Sequence, residues 1–184
     1  MNIRIALGVP LMLTLSAIAA AQDDGLKVFI SADMEGVVGA VTGEQISPGG
    51  FEYERFREFM TEEVNAAIDA ARAAGATEFV IADAHGNGQN LLIERLPDDV
   101  TVIRSWPRAL SMMAGIDDSF DGVIFLGYHT STANLRGVRA HTMSSASITS
   151  VRLNGIEMTE GSMNAAIAGH YGVPVILVSG DDAA

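Results

Sequence analysis

The sequence contains no cysteine. That excludes a disulfide framework, a thiolate zinc site, a cysteine nucleophile and a lipid-anchored N-terminal cysteine, so any metal has to be held by His, Asp and Glu. Cations are also scarce. Lys and Arg number 11 against 23 Asp and Glu, a formal net charge of −12. The basic residues are scattered and form no stripe, which argues against nucleic-acid binding, because a phosphate backbone is held by clustered positive charge. No internal repeat and no low-complexity tract is present, so solenoid and tail-like architectures find no support.

What is present is the composition of a packed domain. Hydrophobic residues make up 48% of the 184 positions and charged residues 18%, which excludes wholesale disorder and fits about one domain. Residues 1–21 read as a secretory signal peptide: Arg4 as a short positive region, an apolar stretch from Ile5 to Leu15, and a small-residue cleavage site at Ala17-Ile18-Ala19 or Ala19-Ala20-Ala21. The apolar stretch is short for a membrane span and contains Pro10. A periplasmic or secreted location is therefore expected, with residues 22–184 as the folded α/β domain and no stable membrane anchor after cleavage. Without disulfides, such an exported domain relies on its core.

From Leu26 onward strands alternate with helical stretches. Short apolar runs at Lys27–Ala32, Glu78–Ala82, Val100–Arg104, Gly122–Leu126 and Val173–Ser179 suit strands, the first of them buried on both faces, the fourth fully apolar and the last buried. Between Glu52 and Ala74, apolar residues recur at three- and four-residue spacing (Tyr53, Phe56, Met60, Val64, Ala67, Ile68, Ala71), the signature of an amphipathic helix that Gly75 would stop. One or two helical turns fit Arg108–Ala114, and Gly161–Tyr171 reads as a helix. Asn154-Gly155 between Ser147–Leu153 and Ile156–Met158 marks a hairpin with a type I′ turn. Ser31–Gly50, rich in Gly, Ser, Thr and Pro, reads as irregular loop. The fold class expected is α/β, a mostly parallel sheet with helices on both faces. The chain stops five residues after its last expected strand, which reads as a C-terminal truncation.

Chemistry-bearing residues follow the strands. Asp33 and Glu35 come after the first, Asp83 and His85 after the second, Tyr128 and His129 after the Gly122–Leu126 strand, Asp181 and Asp182 after the last. Open α/β sheets bind ligands at the carboxyl ends of their strands. Singly, a D-x-E pair serves as a turn or helix cap, and a loop histidine is hydrogen-bonded rather than ligating. Jointly, they favour a metal. Imidazole with carboxylate and no thiolate suits Zn²⁺, Mn²⁺, Co²⁺ or Fe²⁺, whereas Mg²⁺ takes fewer protein ligands and no imidazole. Asp33, Glu35, His85, His129 and Glu160 exceed the needs of one open catalytic zinc and suit a two-metal site with a bridging carboxylate. His141 reads as a further ligand, a catalytic acid or a loop residue. Glu157 is the rival of Glu160, and His170 reads as a plain helix residue. Gly86-Asn87-Gly88 lacks the lysine and spacing of a phosphate loop. No G-x-S-x-G surrounds Ser31, Ser144 or Ser145, so a serine hydrolase has little support. Trp106 and Pro107 pack or line a loop near the site.

Ser31-Ala32-Asp33-Met34-Glu35-Gly36 resembles the S-x-D-x-E-G opening of the D-aminopeptidase family typified by the dipeptide-operon zinc enzyme of Bacillus. The resemblance continues through Tyr53-Glu54-Arg55, Met60-Thr61-Glu62-Glu63, Asn65, Asp83-Ala84-His85, Leu126-Gly127-Tyr128-His129 and Ala140-His141-Thr142-Met143. It then takes in Asn154, Glu160, Asn164, Val173-Pro174-Val175 and Gly180-Asp181-Asp182. It implies an aminopeptidase acting on short peptides with N-terminal D-amino acids such as D-Ala, two Zn²⁺ ions (with Mn²⁺ or Co²⁺ as substitutes), and a homo-oligomer of the large-ring type. It also implies Asp33 as bridge, Glu35 with His129 on one metal, and His85 with Glu160 on the other. His141 falls at the family's catalytic position, described there as a nucleophile; a metal-activated water with His141 as general acid or oxyanion stabiliser is the more economical chemistry. Members of the family run well beyond the position of Ala184. The same metal site acting on L-peptides or other amides, or a non-catalytic periplasmic metal-binding protein, are the alternatives.

Overall fold

The computed structural model describes residues 25–184; the expected signal peptide lies outside them. In chain order the elements are β1 (Leu26–Ala32), α1 (Gly43–Ile46), α2 (Tyr53–Ala73), β2 (Ala76–Asp83), β3 (Thr101–Ile103), β4 (Gly122–Tyr128), β5 (Arg152–Leu153), β6 (Ile156–Glu157), α3 (Glu160–His170) and β7 (Val175–Gly180), with single 3₁₀ turns at Ile93–Arg95 and Ser111–Met113. Five strands form one sheet in the order β3-β2-β1-β4-β7, and every pairing in it is parallel. The mostly parallel α/β architecture expected from the sequence is the one observed.

The two-residue period of the strands explains the two cores. From β1, Val28, Ile30 and Ala32 face the side covered by α2, where Phe56, Met60, Val64 and Ile68 complete the packing with Ile81, Ile124 and Leu126. Phe29 faces the opposite side, with Val123, Phe125, Met113, Phe120 and Ala168 of α3. β1 and β4 are therefore sandwiched, and β4 is buried along its whole length.

Two expectations are corrected. The Ser31–Gly50 segment is not wholly irregular: Gly43–Ile46 forms a helical turn, closed by a capping box in which the Gln45 side chain accepts from the Thr42 amide. The last apolar run reads as a buried strand, yet among the described residues β7 is the outermost strand beside β4, with Ile176, Leu177 and Val178 about half exposed. An apolar run reports that a strand is apolar; its place in the sheet depends on pairings made elsewhere in the chain. The Asn154-Gly155 hairpin forms as read, with positive φ at both turn residues.

Order within the sheet positions the site. The chain runs from β1 outward to β2 and β3, then returns to the other side of β1 with β4 and β7. The reversal falls between β1 and β4, the crevice where open parallel sheets bind ligands.

Candidate metal centre

Asp33 and Glu35 leave β1 at this crevice, and His129 leaves β4 beside them. The close crossing of the two strand ends depends on glycine. Gly36 donates its amide to the Gly127 carbonyl at 2.7 Å. A Cβ on Gly36 would lie 2.1 Å from the Tyr128 carbonyl, and one on Gly127 (φ +68) 2.1 Å from the Asp33 carbonyl. No side chain fits at either position. His85 arrives on the loop after β2. That loop is fastened by the buried Asp83 carboxylate, which accepts from the Asn90 amide, the Asn90 Nδ2 and the Leu91 amide, while Asn90 Nδ2 also donates to the His85 carbonyl. Glu160 is the first residue of α3, whose N-cap Thr159 accepts from the Ser162 amide.

These residues converge on one buried cluster. Asp33 Oδ1, Glu35 Oε2 and His85 Nδ1 form one group: His85 Nδ1 lies 2.7 Å from Glu35 Oε2 and 3.2 Å from Asp33 Oδ1. Asp33, His129 and Glu160 form a second, with His129 Nε2 at 3.5 Å from Asp33 Oδ2 and 3.6 Å from Glu160 Oε1. Glu35, His129 and His141 form a third combination, His141 Nε2 standing 3.8 Å from Glu35 Oε1 and 3.7 Å from Glu160 Oε1. The groups overlap: Asp33, Glu35 and His129 each belong to two of them, so the cluster gathers all the expected ligands without dividing them between ions. Glu157 stays outside, its carboxylate taken by Ser150 and Arg152 on the hairpin. Asp181 accepts from the Val138 and Ala183 amides and serves the neighbouring loop. His170 lies at the far end of α3 against Tyr171.

Each imidazole has one nitrogen pinned to a backbone carbonyl and the other aimed into the cluster. His85 Nε2 donates to Ile46 O (2.6 Å), His129 Nδ1 to Thr130 O (3.1 Å) and His141 Nδ1 to Arg139 O (3.0 Å). A carbonyl only accepts, so the inward nitrogen is left as the ligating or proton-carrying one. The His129 and His141 rings stack at 4.1 Å and 14°. The Ile46 carbonyl orients His85, and it belongs to α1, inside a segment whose composition reads as irregular loop. The capping pair Thr42 and Gln45 was the one local signal for it.

The electrostatics are those of a crowded acidic pocket. Burial, then the neighbouring Glu35 carboxylate, push Asp33 up to about 8. Burial opposes charge on His85 and His129, but hydrogen bonds and charges from Asp33 and Glu35 raise His85 to about 11, and Glu160 and Asp33 raise His129 to about 9. Burial also opposes ionisation of Glu35, and the contact with His85 outweighs it and holds the carboxyl well below its ordinary range. Two atoms in this pocket, Asp33 Oδ2 and His129 Nε2, are buried with no hydrogen-bond partner. Both belong to the second group, and both are lone-pair donors that a cation would satisfy. The donor set therefore fits the metal that carboxylate and imidazole favour. A cavity of about 300 Å³ opens onto the cluster and is lined also by Gly86, Trp106, Met112 and Met143. Trp106 is held there by a hydrogen bond from Nε1 to Gly86 O and by the Arg108 guanidinium 4.0 Å over its ring.

Comparison with known proteins agrees with this geometry. The D-aminopeptidase model of peptidase family M55 matches residues 26–184. The D-aminopeptidase of Bacillus subtilis (strain 168) is 40% identical over 162 residues, covering 86% of this chain and 57% of that protein. Among solved structures, the Zn-dependent D-aminopeptidase DppA from Bacillus subtilis, a self-compartmentalizing protease, superposes with a TM-score of 0.80 at 38% identity, again over 86% of this chain and 57% of the other. The chain thus spans a little over half the length of these relatives. With a shared sheet, a matching sequence from β1 to the final residue and a cluster of carboxylates and imidazoles at the strand ends, the chain belongs to the D-aminopeptidase family.

Proposed function

We propose that the protein is an exported, zinc-dependent aminopeptidase that releases N-terminal D-amino acids such as D-Ala from short peptides, and that it works as a homo-oligomer. The observation that carries this reading is the set of overlapping ligand groups, two of which share Asp33, with Asp33 Oδ2 and His129 Nε2 buried and unpartnered within it. Asp33 would be shared between two ions, with Glu35 and His129 completing the ligands of one and His85 and Glu160 those of the other, as the family resemblance implies. When bound, zinc supplies Lewis-acid polarisation of the scissile carbonyl and lowers the pKa of water.

The chain's own residues do the remainder. His85 and His141 both line the cavity, and His141 is the more exposed of the two, its side chain 17% exposed against 8% for His85 and 1% for His129. With Nδ1–H committed to Arg139 O, its Nε2 faces the cavity and can hold a proton for the departing amine or donate to the developing oxyanion. Trp106, Met112 and Met143 give the cavity an apolar wall, which suits a small aliphatic side chain. The relative's dependence on zinc and its self-compartmentalizing nature support the cofactor and the assembly proposed for this chain.

The test is hydrolysis of D-Ala-D-Ala and L-Ala-L-Ala by the full-length protein, with and without chelator, followed by zinc restoration. Chelator-sensitive turnover of the D-dipeptide is expected. Turnover untouched by chelator, or preference for the L-dipeptide, would overturn the reading. Light scattering of the same sample should give a mass several times that of one chain, and N-terminal sequencing of the exported protein should start directly after Ala19 or Ala21.

A further inference from the structure

Met112 lines the cavity from the 3₁₀ turn Ser111–Met113, and two sets of contacts that the proposed chemistry does not use hold it there. Ser31 Oγ donates to the Met112 carbonyl at 3.0 Å. Ser31 has one hydroxyl proton and spends it on that carbonyl, so Tyr128 Oη, 2.7 Å away, donates to Ser31. Tyr128 Oη in turn accepts from Asn164 Nδ2 at 2.8 Å. The second Nδ2 proton goes to Met112 Sδ at 3.3 Å. A thioether sulfur only accepts, so the orientation of the Asn164 amide is forced. One buried polar chain thus fixes Met112 at both its carbonyl and its sulfur; Ser31 and Tyr128 are fully buried and Asn164 nearly so. The turn is held from its other side by Arg108, which donates to the Ser111, Ile103 and Asp83 carbonyls. Leu110 and Ser111, directly before Met112, both have positive φ (58° and 51°). Non-glycine residues keep that conformation only where the surrounding contacts over-determine it.

Met112 also has a particular place in the cavity. Of the apolar lining, Ala84 and Met112 are buried, whereas Trp106 and Met143 are 36% and 48% exposed. The first two close the cavity, and the last two flank its mouth. The inference rests on the peptidase reading above. An aminopeptidase cleaves beside the N-terminal residue. With the scissile carbonyl at the cluster of carboxylates and imidazoles, the remainder of the peptide leaves through the mouth, and the N-terminal side chain meets the closed end. We propose that Met112 is the specificity-determining residue there, a stop that restricts the N-terminal side chain to about the size of a methyl group, and that Asn164 is a positioning residue that keeps the stop rigid. Methionine ordinarily re-packs around what is pressed against it, because its chain is unbranched and has three rotatable bonds. With its carbonyl bound by Ser31 and its sulfur by Asn164, only the terminal methyl of Met112 is left to turn. A longer substrate side chain therefore meets a wall that does not give.

The experiment measures kcat/KM of the zinc-loaded full-length protein on D-Ala-Gly and D-norvaline-Gly, and its affinity for D-alanine hydroxamate and D-norvaline hydroxamate by calorimetry. The variants are Met112→Ala, Met112→Leu, Asn164→Leu and Met60→Ala. Met60→Ala is a matched control that removes a comparably buried methionine from the opposite face of the sheet. One methylene in an apolar pocket is worth ~10- to 200-fold, so the parent should favour the alanine member of each pair by at least ~10-fold. Met112→Ala should raise the norvaline-to-alanine ratio by at least ~10-fold, through KM for the longer peptide. Met112→Leu keeps a similar volume with a shorter reach; it should raise the ratio less, and it decides the matter if Met112→Ala does not fold. Asn164→Leu should raise the ratio with Met112 itself unaltered, while Met60→Ala should leave it at the parent value. A parent indifferent to the two side chains, a ratio unchanged in the folded Met112 variants, or an equal rise in Met60→Ala would each overturn the stop. A ratio unchanged in Asn164→Leu would overturn the positioning role of Asn164. A parent that binds both hydroxamates but cleaves no peptide would sink the peptidase reading alone, and the stop would still stand or fall by the hydroxamate affinities.

Discussion

Asp33 belongs to two of the three overlapping ligand groups and is the carboxylate that the resemblance makes the bridge. Asp33→Ala should therefore lose both ions by elemental analysis, whereas His141→Ala should keep them and lose ~10²- to 10⁴-fold in kcat, the usual contribution of a proton-transferring group. A His141→Ala protein with parental turnover would remove His141 from the chemistry. The protonation states give a second prediction at this scale. In the metal-free pocket, Asp33 near 8, His129 near 9 and His85 near 11 all hold their protons at neutral pH. A ligating imidazole must be neutral and a ligating carboxylate ionised, so a cation has to displace those protons. Zinc affinity should accordingly rise between pH 6 and pH 8, with proton release detectable by calorimetry in buffers of different ionisation enthalpy. An affinity flat across that range would contradict the assignment.

Among the elements, the β2 loop shows how a side chain with no chemistry of its own holds one that has it. Asp83 is fully buried and accepts three hydrogen bonds from Asn90 and Leu91. Asp83→Ala would leave those donors in the interior without partners, at ~1–3 kcal/mol for a buried unsatisfied group. A loss of at least about 3 kcal/mol in chemical denaturation is expected, with release of the His85 ion first. Sequence patterning placed Asp83 correctly at a strand end but did not distinguish this fastening role from a metal-ligating one, since both need a carboxylate after a strand. The helix α2 was fully legible, because seven apolar positions at helical spacing have only one way to face a sheet. The helix α1 was not: four residues are too few for a period, and only its cap betrays it. β5 and β6 were legible from two turn residues alone, Asn154 and Gly155, because few sequences tolerate positive φ twice in succession.

For the whole molecule, metal binding and folding should be coupled. Three carboxylates and three imidazoles are brought together at the end of the sheet, most of them buried, and an ion that binds only the folded state stabilises it by mass action, ~2.7 kcal/mol at a hundredfold excess over Kd. Chelation should lower the thermal midpoint of the full-length protein, and zinc should restore it; a midpoint indifferent to chelator would place the ions outside the fold's stability. No helix among the described residues is long and apolar enough to cross a membrane.

The sequence by itself determined which residues are apolar, at what period, and which acids and imidazoles follow each strand. Those properties are local, and they were enough to reach the parallel α/β class and the strand-end address of Asp33, Glu35, His85 and His129. Tertiary structure decided the rest. It set β7 beside β4 as the outermost strand of the described residues, gathered Asp33, Glu35, His85, His129, His141 and Glu160 into one cluster, and turned His85 by the Ile46 carbonyl of a distant helical turn. It also ran the Asn164–Tyr128–Ser31 chain beneath the site. The physical reason is range: Asp33 and His85 stand 52 residues apart in the chain and 3.2 Å apart in space. Such distances follow from strand order, close glycine crossings and buried hydrogen bonds, which no local pattern encodes.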